Sequence, residues 1–389
     1  MKVLYNKIII TTGIFLLVVI SSCKKTFLNP GAIGGLSQTE LENKAGVNGL
    51  LIGAYSLLDG WGANSGGVWK HTAADNWIFG GVGSDDAHKG SEYGDNAYIQ
   101  EIESYTETPI TTSIESKWQA LYAGVERSND VLKMLAKITD GSVSADEAKQ
   151  IEAEARFLRA VFHFEAVKMW ENVPYIDETV SFDAKNYFVP NTTPIMPKIE
   201  ADLQFAADNL APTNSQVGRA NSWAAKAFLA KAYMFDHKFT EAKTLLTDII
   251  ANGETTNGLK YALLPNFYDN FDATKKNNSE SVFAVQMSIS DNSEGGQNGN
   301  FGDAGNYPSA GPGGCCGFYQ PSFSLVNSFR VDPTSGLPLL DTWNNSDVKN
   351  DEWSASSDPY TRSTETLDPR LDWAVGRRGV PYLGWGLMA

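Results

Sequence analysis

The sequence predicts a mainly α protein: a tetratricopeptide-like α-α superhelix joined to a loop-rich, irregular region with a few short strands. Three observations carry this. Capping-box spacings stand ahead of long stretches with helical apolar periodicity. One pair of those stretches keeps small residues where two helices must approach closely. Two other segments, rich in glycine, aspartate and aromatics, break the helical pattern.

Ser37-Gln38-Thr39-Glu40 reads as a capping box opening a helix to about Leu58, with Leu41, Ala45, Leu51, Ile52 and Tyr55 at helical spacing. From Asp59 to about Thr111 the texture is loop. Trp61, Trp69, Trp77, Phe79, Tyr93, Tyr98 and Tyr105 lie there among Gly60, Gly62, Gly80, Gly81 and Gly83, with one short helix expected near Trp69 to Phe79.

Thr112-Ser113-Ile114-Glu115 is a second capping box, for a helix to about Lys137, and Ser144-Ala145-Asp146-Glu147 a third, for one reaching Trp170. In the latter, Ile151, Ala155, Leu158, Phe162, Ala166 and Met169 form one apolar stripe and Phe157, Val161 and Phe164 a neighbouring one. A face that wide needs helices on two sides, as in a stacked superhelix. Glu154, Arg156, Arg159 and Glu165 are expected to pair at helical spacing.

Thr193-Pro194 places a proline at a first helical position for a helix to about Leu210. Residues 221–252 read as two further helices hinged at Asp236-His237-Lys238 and stopped at Gly253. Leu229-Ala230, Tyr233, Phe239, Ala242, Leu246 and Ile249 reproduce the tetratricopeptide rhythm. Beyond Leu259 helical periodicity ends; Ser281 to Met287 alternates as a strand would, and residues 291–320 form a second glycine-rich loop.

The N-terminus predicts processing. Lys2 and Lys7 precede an apolar run from Ile8 to Ile20, and Ser21-Ser22-Cys23 follows. The run is too short for the roughly 20 residues a spanning helix needs. Residues 1–22 therefore read as a removed signal peptide. Ile20-Ser21-Ser22-Cys23 fits a lipobox, making Cys23 the lipidated residue that holds the protein to a membrane through acyl (palmitate-type) chains.

Losing Lys2 and Lys7 and no acid would move the formal net charge from −15 to −17, which argues against nucleic acid as a partner. Apart from Cys23 the cysteines are the adjacent Cys315 and Cys316, either two thiols or a vicinal disulfide, so this is no disulfide scaffold.

No phosphate loop, zinc-protease motif or nucleophile elbow is present, and His71, His88, His163 and His237 are scattered. His163 reads as a packing histidine, and Asp85-Asp86 with His88 as a solvated acidic turn. No catalytic residue, metal or cofactor is expected. What the loops do supply is flat apolar faces with polar neighbours, the chemistry that receives a pyranose. Trp61, Trp77, Tyr93 and Tyr98 lie in the first loop territory, and Tyr307, Phe318, Tyr319, Trp343 and Trp353 in the second. Trp77, Tyr93, Tyr319 and Trp343 are taken as the ligand-binding candidates.

The segment Ala153 to Ala160, continuing through Phe164 and Trp170 to Val173-Pro174, resembles the signature helix of the SusD/RagB family. Trp118 to Asn129, Gly218-Arg219-Ala220, Asn278 to Phe283 and Asp368-Pro369-Arg370-Leu371-Asp372 fit in family order. Where such proteins have glycine after the aromatic residue, this chain has Glu171-Asn172.

The resemblance implies an outer-membrane lipoprotein of Bacteroidota, exposed at the cell surface. It would capture a glycan, oligosaccharide or related nutrient for a SusC/RagA-type TonB-dependent transporter. It implies one SusD-like domain over residues 23–389, with its helical part at about 37–253 facing the transporter. Loop-rich parts at about 59–111 and 259–389 would face the ligand. Since relatives run past the Asp-Pro-Arg-Leu-Asp segment, a missing C-terminal end is also expected. Two other readings remain from the residues: a lipid-anchored glycan hydrolase and a tetratricopeptide scaffold for proteins.

Overall fold

The computed structural model describes residues 38–60, 72–74, 76–288, 317–355, 357–384 and 386–388, with isolated positions 292, 299 and 306. Cys23, Ser37, Trp61, Trp69, His71, Tyr307, Cys315 and Cys316 lie outside the described residues.

The first expected helix is two. Helix α1 spans Gln38–Leu41 and α2 spans Lys44–Ser56. The break arises because the Asn43 side chain accepts from the Gly46 backbone N–H at 3.1 Å, a local cap that competes with continuous helix. The chain then doubles back so tightly that a Cβ on Gly46 would sit 2.3 Å from the Leu41 carbonyl oxygen. A 3-10 turn, Leu57–Asp59, ends the element.

In the first loop territory a short π-type turn, Ile78–Val82, stands where a helix was expected slightly earlier. It is followed by strand β1 (Ala87–His88) and an unforeseen helix α3 (Ala97–Glu103).

The central layer follows the sequence more closely. Helix α4 runs Thr112–Leu135, and its cap is Thr111 rather than Thr112. The Thr111 hydroxyl accepts from the Thr108 N–H at 2.9 Å and donates to Glu101 at 2.7 Å, so it closes the preceding turn instead of capping the helix. Helix α5, Ala145–Trp170, begins with the expected capping box, Ser144 and Glu147 bonding reciprocally.

Helix α6 is Met196–Asn209, with Pro197 rather than Pro194 in its first turn. Helices α7 (Ser222–Phe235) and α8 (Phe239–Asn252) form the pair predicted from the tetratricopeptide rhythm, and its small residues Ala230 and Ala242 are both buried.

These helices stack in series, α4 on α5, α5 on α6, α6 on α7 and α7 on α8, while α2 covers α4 and α5. The main core runs through them. Helix α5 is its axis, burying Phe157, Leu158, Phe162 and Phe164. Gly124 of α4 is the close-approach point, since a Cβ there would meet the Phe162 ring at 2.6 Å.

Because α5 is enclosed, its polar residues pair across elements rather than along the helix. Arg156–Glu152 at 2.7 Å keeps helical spacing, and Glu165 pairs with Lys168 at 2.6 Å. Glu154, however, accepts from Tyr55 at 2.8 Å and from Arg219 at 3.1 Å. Arg159 grips both oxygens of Asp202 at 2.8 Å and donates to Asn129 and Glu178 at 3.0 and 2.5 Å.

The expected strand at Ser281 to Met287 is absent. Among the described residues no strand pairs with it; Phe283 instead packs edge-on against Phe157 and Phe228, 5.3 and 6.0 Å between ring centres. The remaining described elements are short: two 3-10 turns (Phe267–Asn270 and Ala273–Lys275), β2 (Gln320–Pro321), α9 (Phe323–Asn327), α10 (Leu371–Ala374), β3 (Pro381–Tyr382) and β4 (Gly386–Leu387). Antiparallel β1 and β2 pair Ala87 with Pro321 and His88 with Gln320, which joins the two loop territories. β3 and β4 form a hairpin.

Candidate functional site

The β1–β2 junction builds a small second core of Ile78, Val82, Ala87, Ile99, Ile102 and Phe318, with Trp77, Phe79, Tyr98 and Tyr319 half-buried around it. Two glycines permit the closure by lacking a side chain. A Cβ on Gly90 would lie 1.7 Å from the Gly317 carbonyl oxygen, and one on Gly81 would lie 2.1 Å from the Tyr319 hydroxyl. The Gly90 N–H donates to the Phe318 carbonyl at 3.2 Å and the Ser322 N–H to Asp86 at 3.0 Å, extending the junction on both sides.

Trp77 and Tyr319, more than 200 residues apart in sequence, therefore meet edge to face, with ring centres 5.6 Å apart and planes at 84°. Perpendicular rings make a corner: one face can receive an apolar surface while the other ring abuts its side. The Trp77 indole N–H is buried and has no acceptor among the described residues, which costs stability unless something supplies one.

Burial, reinforced by the Asp86 carboxylate, pushes the Tyr319 phenol up, so it stays a neutral donor. Tyr98 behaves likewise, pushed up to about 12 by burial and then Asp95, and its hydroxyl donates to Asn96 at 2.6 Å. His88 lies 2.8 Å from Glu103, an ion pair when protonated.

The other candidates are placed differently. Tyr93 is 79% exposed in the turn after β1. Trp343 belongs to a separate substructure gathered round buried Arg330, which donates to the Trp343 carbonyl at 2.7 Å and to Glu365 at 2.7 Å. Phe318 is buried in the small core, so it supports the site and cannot face a ligand. Trp353 is 91% exposed.

Residues that pattern reading missed are Gly81 and Gly90, whose role depends on a partner strand far away, and two lysines, Lys89 and Lys117. Lys117 did leave a signal: it sits three residues after Ile114 and four before Leu121, a cation on an apolar helical face.

Comparison with known proteins agrees with this architecture. Residues 61–234 match a SusD-like family model described as "Starch-binding associating with outer membrane", and residues 279–385 match the SusD family model (SusD/RagB). The chain belongs to the SusD/RagB family.

It is 30% identical over 191 residues to a SusD-like protein of Bacteroides ovatus, covering 46% of this chain and 34% of that one. It is 26% identical over 180 residues to SusD-like protein P25 of Formosa agariphila, covering 45% and 32%. Among solved structures, a laminarin-binding SusD-like protein superposes with a TM-score of 0.56 at 28% identity, over 68% of this chain and 55% of that one. A SusD-like carbohydrate-binding protein of Bacteroides fragilis gives a TM-score of 0.57 at 21% identity, over 77% and 55%, a likeness of fold. The chain thus spans about a third of the length of these curated relatives and about half that of the solved ones.

Proposed function

We propose that this chain is a surface-exposed lipoprotein of the outer membrane that binds a glycan and hands it to a SusC/RagA-type TonB-dependent transporter, without cleaving it. The observation that carries the reading is the Trp77–Tyr319 corner, which a two-stranded junction holds at the meeting of two loop territories on a helical platform. A pyranose offers a C–H face to one ring and hydroxyls to the indole N–H, which has no acceptor among the described residues, and to the neutral phenol. The similar laminarin-binding protein makes β-glucan the first ligand class to try.

Tyr93 and Trp343 are assigned outer contacts along a longer chain, with the Trp77–Tyr319 corner at its centre. Cys23 is the acylated anchor, and the helical part is assigned to the transporter.

Affinity electrophoresis against laminarin and other soluble polysaccharides tests the binding. Wild type is retarded by at least one of them, and Trp77→Ala with Tyr319→Ala loses that retardation. New reducing ends after incubation would replace the reading by hydrolysis. Cys23→Ser releases the protein from membranes, and the transporter arm requires co-purification with an outer-membrane barrel of the TonB-dependent class.

A further inference from the structure

Lysine is seldom buried because its ammonium loses hydration. Among the described residues, the buried lysines are Lys89 and Lys117. Both end on the segments that carry the aromatic corner. Lys117, on α4, donates to the carbonyls of Ala73 and Ala74, the latter at 2.7 Å, and stands 5.5 Å from the centre of the Phe79 ring. Those residues bracket Trp77. Lys89, next after β1, donates to the Glu92 carbonyl and lies 5.8 Å from the centre of the Phe318 ring, beside Tyr319.

We infer that Lys89 and Lys117 are positioning residues which set the relative placement of Trp77 and Tyr319, an inference that rests on the corner being the glycan site. Neither ammonium is offered as a ligand contact. Lys117 fixes the Trp77 segment to the rigid helical layer, because inward-turned carbonyls of a loop need a donor and the helix supplies one from below. Lys89 holds the opposite wall, its charge resting on the face of the ring that precedes Tyr319. Two short loops from distant parts of the chain could otherwise slide past one another, since the β1–β2 ladder that joins them is two residues per strand. A cation on each side removes that freedom without placing a bulky group in the corner.

The test uses the full chain with 5-fluorotryptophan in place of its ten tryptophans, the Trp77 fluorine resonance being assigned by its loss in Trp77→Phe. Lys117→Met and Lys89→Met are each expected to shift or broaden that resonance and to weaken retardation by laminarin roughly tenfold, the scale of one lost buried hydrogen bond to a charge. Lys117→Arg restores much of both. Lys226→Met is the control: it removes a cation 4.2 Å from the Trp223 ring and should move the Trp223 resonance alone.

An unchanged Trp77 resonance in both methionine variants overturns the inference. If Lys117→Met fails to fold, judged by helical circular dichroism, Lys89→Met and Lys117→Arg decide it. If wild type binds no polysaccharide, the glycan reading fails, and the Trp77 resonance still reports whether the lysines set the corner.

Discussion

His163 sits at the middle of α5 with no solvent contact, stacked on Tyr175 with ring centres 4.7 Å apart. Its Nε2 accepts from the Ile176 N–H at 3.2 Å, so Nδ1 carries the hydrogen that it donates to the Arg159 carbonyl at 3.0 Å. Burial, and then the nearby Arg159 charge, lowers its pKa from 6.5 to about 3. Above pH 6.5 the folded and unfolded states are both neutral here and the residue adds no pH dependence. As the pH falls from 6.5 towards 3, the unfolded chain takes up a proton that the folded chain refuses, so stability falls with pH across that window. The steepest contribution is about 1.4 kcal/mol per pH unit. Urea unfolding at pH 7 and pH 5 should show His163→Gln losing less stability between the two than wild type; equal losses would contradict it. At the ligand corner, Gly81→Ala drives a methyl into the far end of a movable tyrosine. Tyr319 should swing away, weakening polysaccharide retardation while thermal midpoint changes little.

At the scale of elements, helix interiors were legible and their edges less so. Ser144 and Glu147 cap α5 as the sequence spelled out, because both partners of a capping box lie within four residues. Ser144→Ala is accordingly expected to cost about 1 kcal/mol in chemical denaturation. Thr112 carried the same local spelling, yet the helix starts after Thr111, whose hydroxyl is engaged by Thr108 and Glu101 and leaves the first turn without a side-chain cap. The strand pattern at Ser281 to Met287 failed for a related reason: alternation describes one face in and one face out, and here the inward face met helices. The candidate site divides the same way. The aromatic content of both loops was visible in the sequence, but which aromatics meet depends on a two-residue ladder between positions 87–88 and 320–321. Gly124 shows how magnitudes decide at this scale. Alanine would gain about 1 kcal/mol of helix propensity. Its methyl would, however, stand 2.6 Å from three atoms of the enclosed Phe162 ring, and overpacking a core costs about 1–3 kcal/mol. The expected net result of Gly124→Ala is destabilisation, read from its denaturation midpoint.

For the molecule as a whole, the question is what keeps a serial stack of helices in register with the long connection between α5 and α6. Arg159 is the tie. Its guanidinium reaches Asp202 on α6, Asn129 on α4 and Glu178 in the connection, and Asp202 in turn accepts from Tyr175 at 2.7 Å. Arg159 and Asp202 are both almost fully enclosed. Removing one of them leaves the other's charge buried without its partner, which in general costs about 3–5 kcal/mol. Arg156 lies one turn earlier with the same charge, but it is about a third exposed, stands 3.7 Å from Asp202 and has its short contact with the equally exposed Glu152; an ion pair that water reaches in this way contributes about 1 kcal/mol or less. Arg159→Met should therefore destabilise the helical layer far more than Arg156→Met. Because the tie reaches helices from α4 to α6 at once, the loss should appear as one cooperative shift of the helical signal rather than local fraying. The β1–β2 junction is not among the Arg159 contacts, so any weakening of polysaccharide binding in Arg159→Met should follow the unfolded fraction. Equal midpoints for the two methionine variants would show that the network adds nothing beyond a surface ion pair.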